Sequence, residues 1–200
     1  MRALTVAQSR PVLADALLPQ ATRAQNTLLV VAGSLLMALC SQISLPLPFS
    51  PVPVTGQTFA VLLLGATLGG RRSAAALILY LVEGVAGLPV FAPGGLPGAA
   101  RLLGPTGGYL LAFPPAAFVL GTLLARLPKR WFYWLGAVLL AEALIFTAGV
   151  AWLKYLTLAG WSEAVRAGLL PFLPGELMKV ALVSACLPAS WWVVERARAH

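Results

Sequence analysis

Charge is the scarcest property of this sequence. Six acidic and fourteen basic residues make up 10% of its 200 positions, against 60% hydrophobic residues. A water-soluble domain of this size needs a wide charged surface, so soluble enzymes and soluble binding modules are excluded and the expected solvent is lipid. Histidine is almost missing, its single copy being His200. No His/Cys/carboxylate cluster has metal-ligand spacing, which disfavours an intramembrane metalloprotease or a histidine-based phosphatase; no metal or cofactor is expected. No G-x-x-x-x-G-K-[ST] loop occurs either, so any ATP-driven work requires another polypeptide. The two cysteines, Cys40 and Cys186, lie in apolar segments and read as small hydrophobes without a disulfide. Met1 to Asn26 is interrupted by Arg2, Arg10, Pro11, Asp15, Pro19 and Arg23 before any long apolar core, which is not the pattern of a secretory signal. Within it, Val12, Leu13, Ala16 and Leu17 suit either a short interfacial turn of helix or a disordered tail.

What is present is a series of apolar runs. Reading for stretches able to cross about 30 Å of hydrocarbon gives six. They run from Thr27 to about Leu45, from Thr55 to Gly69-Gly70, from Ser73 to about Phe91, from Gly107 to Leu127, from Trp131 to about Thr157, and from about Pro171 to Val194. The expected fold is therefore an all-α membrane bundle of six helices over residues 27–194, with tails at 1–26 and 195–200. The net charge of +8 is a topology signal and not a nucleic-acid one, because its clusters fall between the runs. Arg2, Arg10 and Arg23, then Arg71 and Arg72, then Arg126, Lys129 and Arg130, then Arg196 and Arg198 share one side; Arg101 and Arg166 fall on the other. Both termini are expected in the cytoplasm. The outer loops, Pro46 to Gly56 and Ala92 to Arg101, are rich in Gly and Pro and nearly uncharged. Irregular backbone near membrane depth is tolerated where it lines protein or a cavity, which points to a pocket opening outward. No internal repeat supports an inverted-repeat transporter.

A charge at the middle of a span costs about 2.5–3.5 kcal/mol on insertion scales, so each needs a reason. Glu83 falls in the outer half of the third run, Glu142 near the middle of the fifth, Lys154 near that run's outer end, and Glu176 with Lys179 early in the sixth. Glu176 and Lys179 are three residues apart and share a helix face, behind Pro174-Gly175. They form either a self-neutralising ion pair or a site in which Lys179 meets an anionic group and Glu176 accepts from ligand N–H groups. Glu142 reads as a second ligand contact or, slightly better, as a structural acid paired with a neighbouring hydroxyl or cation. Lys154 is placed to snorkel. Gln57 sits where an outer loop becomes helix, able to donate and accept together. Tyr80 and Tyr109 suit the floor of an apolar pocket.

The motifs in which these residues stand resemble the BioY family, the biotin-specific substrate-capture components of energy-coupling-factor transporters. Pro51-Val52-Pro53-Val54-Thr55-Gly56-Gln57 is similar to the family's P-V-P-x-T-x-Q, and Tyr80 to Ala92 follows its Y-L-x-x-G-x-x-G-L-P-V-F-A. Gly104-Pro105-Thr106-Gly107-Gly108-Tyr109-Leu110 matches G-P-T-G-G-Y-L, Gly149 and Trp152 a G-x-x-W, and Pro174-Gly175-Glu176 with Lys179 a P-G-[DE]-x-x-K. The resemblance implies a six-helix bundle in the cell membrane that binds biotin from outside. Lys179, Glu176, Gln57, Glu83, Arg101, Tyr109, Thr106 and Tyr80 are then the candidate ligand-binding residues, covered by the loop from Ala92 to Leu103. It also implies a transmembrane coupling subunit and two cytoplasmic ATPases as partners, with Ser34 and Ala38 as small residues for close docking. Two departures stand out: Glu176 where the family often has Asp, and no loop asparagine, the only Asn being Asn26, so that Arg101 or loop backbone takes its place. The competing expectations are capture of another vitamin such as thiamine or riboflavin, an intramembrane enzyme with Glu83, Glu142 or Glu176 as general base, and a purely structural membrane subunit.

Overall fold

Each of the six apolar runs becomes a helix in the computed structural model, which describes residues 12–157 and 160–198. In chain order the elements are α1 (Leu13–Leu17), α2 (Arg23–Gln42), β1 (Ser44–Leu47), β2 (Ser50–Thr55), α3 (Gln57–Leu68), α4 (Gly70–Val85), α5 (Ala100–Leu103), α6 (Gly107–Arg126), α7 (Trp131–Thr157), α8 (Trp161–Gly168) and α9 (Leu173–Arg198). By length and composition α2, α6 and α7 can cross a membrane, and α8 with Leu173–Ala189 passes the same test as a pair bent by 54°. α3 has 12 residues, roughly 18 Å of helix, and is too short to cross alone. α6 lies at the centre, packed on α3, α4 and α7, and buries Leu110, Phe113, Ala116, Ala117 and Leu120.

Local chemistry sets the boundaries. α2 begins at Arg23, four residues before the apolar run, because Thr22 and Gln25 form a capping box: the Gln25 amide donates to Thr22 Oγ1 (3.2 Å) and the Thr22 amide to Gln25 Oε1 (2.8 Å). α3 and α4 are separated by Gly69 alone, at φ +80°, a left-handed corner that a β-carbon would strain. Val12 packs over that corner. Of residues 12–17, expected as an interfacial turn or a disordered tail, Leu13–Leu17 form α1 against α3 and α9 and Val12 caps it, with Val12, Ala14 and Ala16 buried. Asp15 pairs with Arg72 Nη1 at 2.6 Å, and Arg72 Nε donates to Asn26 Oδ1 at 2.7 Å. Part of the expected tail is thus built into the folded body, for reasons of packing that a hydropathy window does not register.

The proline-rich stretch expected as an irregular loop is an antiparallel hairpin, with Ser44 opposite Thr55, Leu45 opposite Val54 and Leu47 opposite Ser50. Its register breaks between Leu45 and Leu47, where Pro46 has no amide hydrogen to give the ladder. The hairpin is held at both ends. Gly56 N donates to Ile43 O (2.9 Å), and Ser50 Oγ near the turn donates to Ala167 O of α8 (2.7 Å).

Candidate functional site

At the hairpin end of the bundle the elements converge on one small cavity of about 40 Å³. The hairpin supplies Val52 and Pro53, the start of α3 supplies Gln57 and Thr58, and α9 supplies Glu176. The opposite wall is aromatic: Tyr109 and Phe113 from α6, Phe146 from α7, and Phe172 just before α9. Tyr109 meets Phe146 edge to face with centroids 5.9 Å apart, and Phe146 meets Phe172 at 6.0 Å. The Tyr109 hydroxyl donates to Gly168 O (2.6 Å), so its polar tip is satisfied and its ring faces the cavity. Gly149 on α7 allows this packing, because a β-carbon there would overlap the Tyr109 ring.

The charged pair is built into a closed network. Lys179 Nζ donates to Glu176 Oε1 (2.7 Å), Thr58 Oγ1 (2.8 Å) and Thr55 O (2.7 Å), using all three of its donors, while Thr58 Oγ1 donates to Glu176 Oε2 (2.7 Å). Glu176 and Thr58 line the cavity, and Lys179 stands one layer behind them. Beside this network Thr55 Oγ1 donates to Gln57 Oε1 (3.1 Å), and Gln57 Nε2 donates to the Tyr80 hydroxyl (2.8 Å). Tyr80 therefore supports the floor without lining it.

Arg101, on the four-residue α5, is 6% exposed and lines both the cavity and a vestibule of about 650 Å³ between the hairpin and residues 93–96. Pro53 and Thr106 are shared by the two spaces as well. One guanidinium nitrogen donates to Ala92 O. Burial lowers the Arg101 pKa and the Tyr80 hydroxyl opposes that shift, but an arginine remains a cation at neutral pH. Its head lies directly on Gly95, where any β-carbon would collide with it. Gly95→Ala is accordingly expected to displace the guanidinium and to lower ligand affinity as much as Arg101→Ala does, measured as the two dissociation constants side by side; an affinity equal to the unmodified protein's would contradict this packing.

Of the candidate residues, Gln57, Arg101, Thr106, Tyr109 and Glu176 line the cavity, with Lys179 and Tyr80 directly behind it. Glu83 does not join them. It accepts from the hydroxyl of Ser34 on α2, and Ser34 is fully buried, so the acid expected at the ligand and the small residue expected at a docking face are spent on each other. Ala38 is partly buried against the core. Glu142, expected to pair with a neighbouring hydroxyl or cation, makes no hydrogen bond of ordinary geometry. Lys154 lies 5.6 Å from the centroid of the Trp161 ring. Sequence reasoning missed Thr58, which links Lys179 to Glu176, although its hydroxyl directly after Gln57 was a readable sign. It also missed Phe146 and Phe172, which nothing distinguishes from ordinary apolar residues.

The family model described as "BioY family" matches residues 13–196. Biotin transporter BioY2 of Lactococcus lactis subsp. cremoris is 37% identical over 169 residues, covering 82% of this chain and 89% of that protein. Biotin transporter BioY of Rhodobacter capsulatus is 35% identical over 167 residues, covering 78% and 87%. Among solved structures, the S-component for biotin from an ECF-type ABC transporter superposes with a TM-score of 0.75 at 26% identity, covering 90% of this chain and 95% of that one.

Proposed function

The chain is a member of the BioY family, and from that premise we propose that it captures biotin for uptake, as the substrate-binding component of an energy-coupling-factor transporter. It is a multi-pass membrane transport protein and not an enzyme. One observation carries the ligand assignment: a single cavity joins an aromatic wall, an acid that can accept from N–H donors, and two cations, Arg101 at its mouth and Lys179 behind it. Biotin asks for that combination, since it has an apolar ring and chain, a ureido group with two N–H donors, and a terminal carboxylate. A charge-assisted contact in a low-dielectric site is worth roughly twice a neutral one, which suits capture of a scarce solute.

We place the chain in the cytoplasmic membrane as six passes, α2, α3 completed by the hairpin before it, α4, α6, α7 and α9, with both termini inside and the hairpin end outward. The distribution of arginine and lysine over the loops supports this orientation. The chain has no phosphate-binding loop, so transport is assigned to a complex with a transmembrane coupling subunit and two cytoplasmic ATPases. The proposed docking face is on α2, where Leu28, Leu35 and Leu39 are exposed and Ala38 lies beside them; Ser34 is committed inside.

Equilibrium binding to the purified protein tests the ligand. Biotin is expected to bind and thiamine and riboflavin to fail as competitors, because thiamine is a cation and riboflavin has no carboxylate, so neither gains from Arg101 or Lys179. Binding of another vitamin in preference to biotin would overturn the assignment.

A further inference from the structure

Glu142 sits near the middle of α7, 6% exposed, and both of its carboxyl oxygens are buried without a hydrogen-bond partner. It lines a groove between α7, α8 and α9 together with Glu176, whose carboxylate accepts from Lys179, both on α9. Among the described residues no other ionisable group is placed to serve it. α3 carries none, α6 carries Tyr109, whose hydroxyl is donated to Gly168 O, and Arg126 at its opposite end, and the two on α8, Glu163 and Arg166, are exposed. Lys179 has already used its three donors on Glu176, Thr58 and Thr55. The cluster therefore holds two acids against one base at membrane depth.

That count has a consequence for an anionic ligand. With both carboxyls ionised the cluster's single net negative charge already offsets the Arg101 cation at the cavity mouth, so an incoming carboxylate brings one uncompensated negative charge into a region that solvates charge poorly. With one proton on Glu142 the cluster is neutral, and its hydroxyl is free to donate toward Glu176, which keeps its bond to Lys179. We infer that Glu142 is a specificity-determining residue of the site, a proton-bearing carboxyl that keeps the Glu176–Lys179 cluster neutral so that one proton accompanies a carboxylate ligand. The proton comes from the medium, resides on a Glu142 oxygen while the ligand is bound, and returns to the medium on release. This inference deepens the biotin reading and rests on it.

Biotin affinity of the full-length protein in detergent, measured between about pH 6 and pH 9, tests it. The biotin carboxyl is ionised throughout that range. Raising the pH strips the proton from the ligand-free cluster, so binding must first restore it and affinity falls with pH. The dissociation constant is expected to rise at least about tenfold across the range. In Glu142→Gln, which keeps shape and hydrogen-bonding capacity without a titrating proton, it should change by less than about threefold. A slope that survives undiminished in Glu142→Gln assigns the proton elsewhere, Lys179 included, and overturns the inference. Calorimetry of the unmodified protein in two buffers of different ionisation enthalpy at about pH 8 reads the same linkage without a variant: net proton uptake on binding supports it, and none overturns it. Biotin binding with no pH slope defeats this inference alone, whereas no biotin binding at any pH defeats the ligand assignment itself.

Discussion

Lys179→Ala is expected to weaken biotin binding at least a hundredfold. The ammonium makes three hydrogen bonds in a mostly buried setting, one of them to Glu176, which lines the cavity. Removing one partner of a buried pair leaves the other as an uncompensated charge, at a cost of about 3–5 kcal/mol. Part of that falls on folding and part on the ligand, because Glu176 loses the cation that orients it and Thr58 loses a donor. Lys179→Arg is expected to fail as well, since a planar fork cannot reach three acceptors arranged around a compact ammonium. Dissociation constants of the purified variants decide the matter; unchanged affinity in Lys179→Ala would remove the ammonium from the site.

Gly149→Ala should produce the largest loss of folded protein among single-atom additions to α7. Its new methyl overlaps the Tyr109 ring, which is wedged against Phe146 and tied to Gly168 O. Overpacking of this kind costs about 1–3 kcal/mol, and loss of the hydroxyl's bond adds about 1 kcal/mol. Because the same ring forms a wall of the cavity, affinity should fall with stability. Gly136→Ala on the same helix is the control, since nothing lies within 4 Å of its β-carbon. It is expected to melt at or slightly above the unmodified temperature, alanine being the better helix former. Thermal unfolding of both variants in detergent, with and without biotin, makes the comparison; equal melting curves would contradict the packing described.

How far the sequence was legible follows from which physical signals are local. The bounds of α7 and the start of α6 could be read directly, because apolar runs there end on Gly, Pro and basic residues that act within one turn. The capping box that moves the start of α2 and the hairpin inside the proline stretch are also local. They are written in hydrogen bonds, however, and hydropathy does not report those. The pairing of Ser34 with Glu83 spans 49 residues, and that of Thr58 with Glu176 spans 118. No spacing rule reaches across such intervals, so Glu83 looked like a ligand residue and Thr58 like an ordinary helix position. The Glu176–Lys179 pair was found because its i, i+3 spacing is itself a geometric statement; that Lys179 stands behind the cavity wall was not contained in it.

The mouth of the cavity has unequal sides. The hairpin is fastened at its base to Ile43 and near its turn to Ala167, and residues 90 and 91 are held by Ser41 (2.5 Å to Val90 O) and Gln42 (3.3 Å to Phe91 O). Between Phe91 and α5 the chain passes Gly94 and Gly98 at positive φ and is gripped by Arg101 through Ala92 O. The guanidinium is a flat, rigid plate with five donors. One edge is spent on the glycine-rich strap, so a carboxylate that takes the other edge is joined to the strap through a single rigid group.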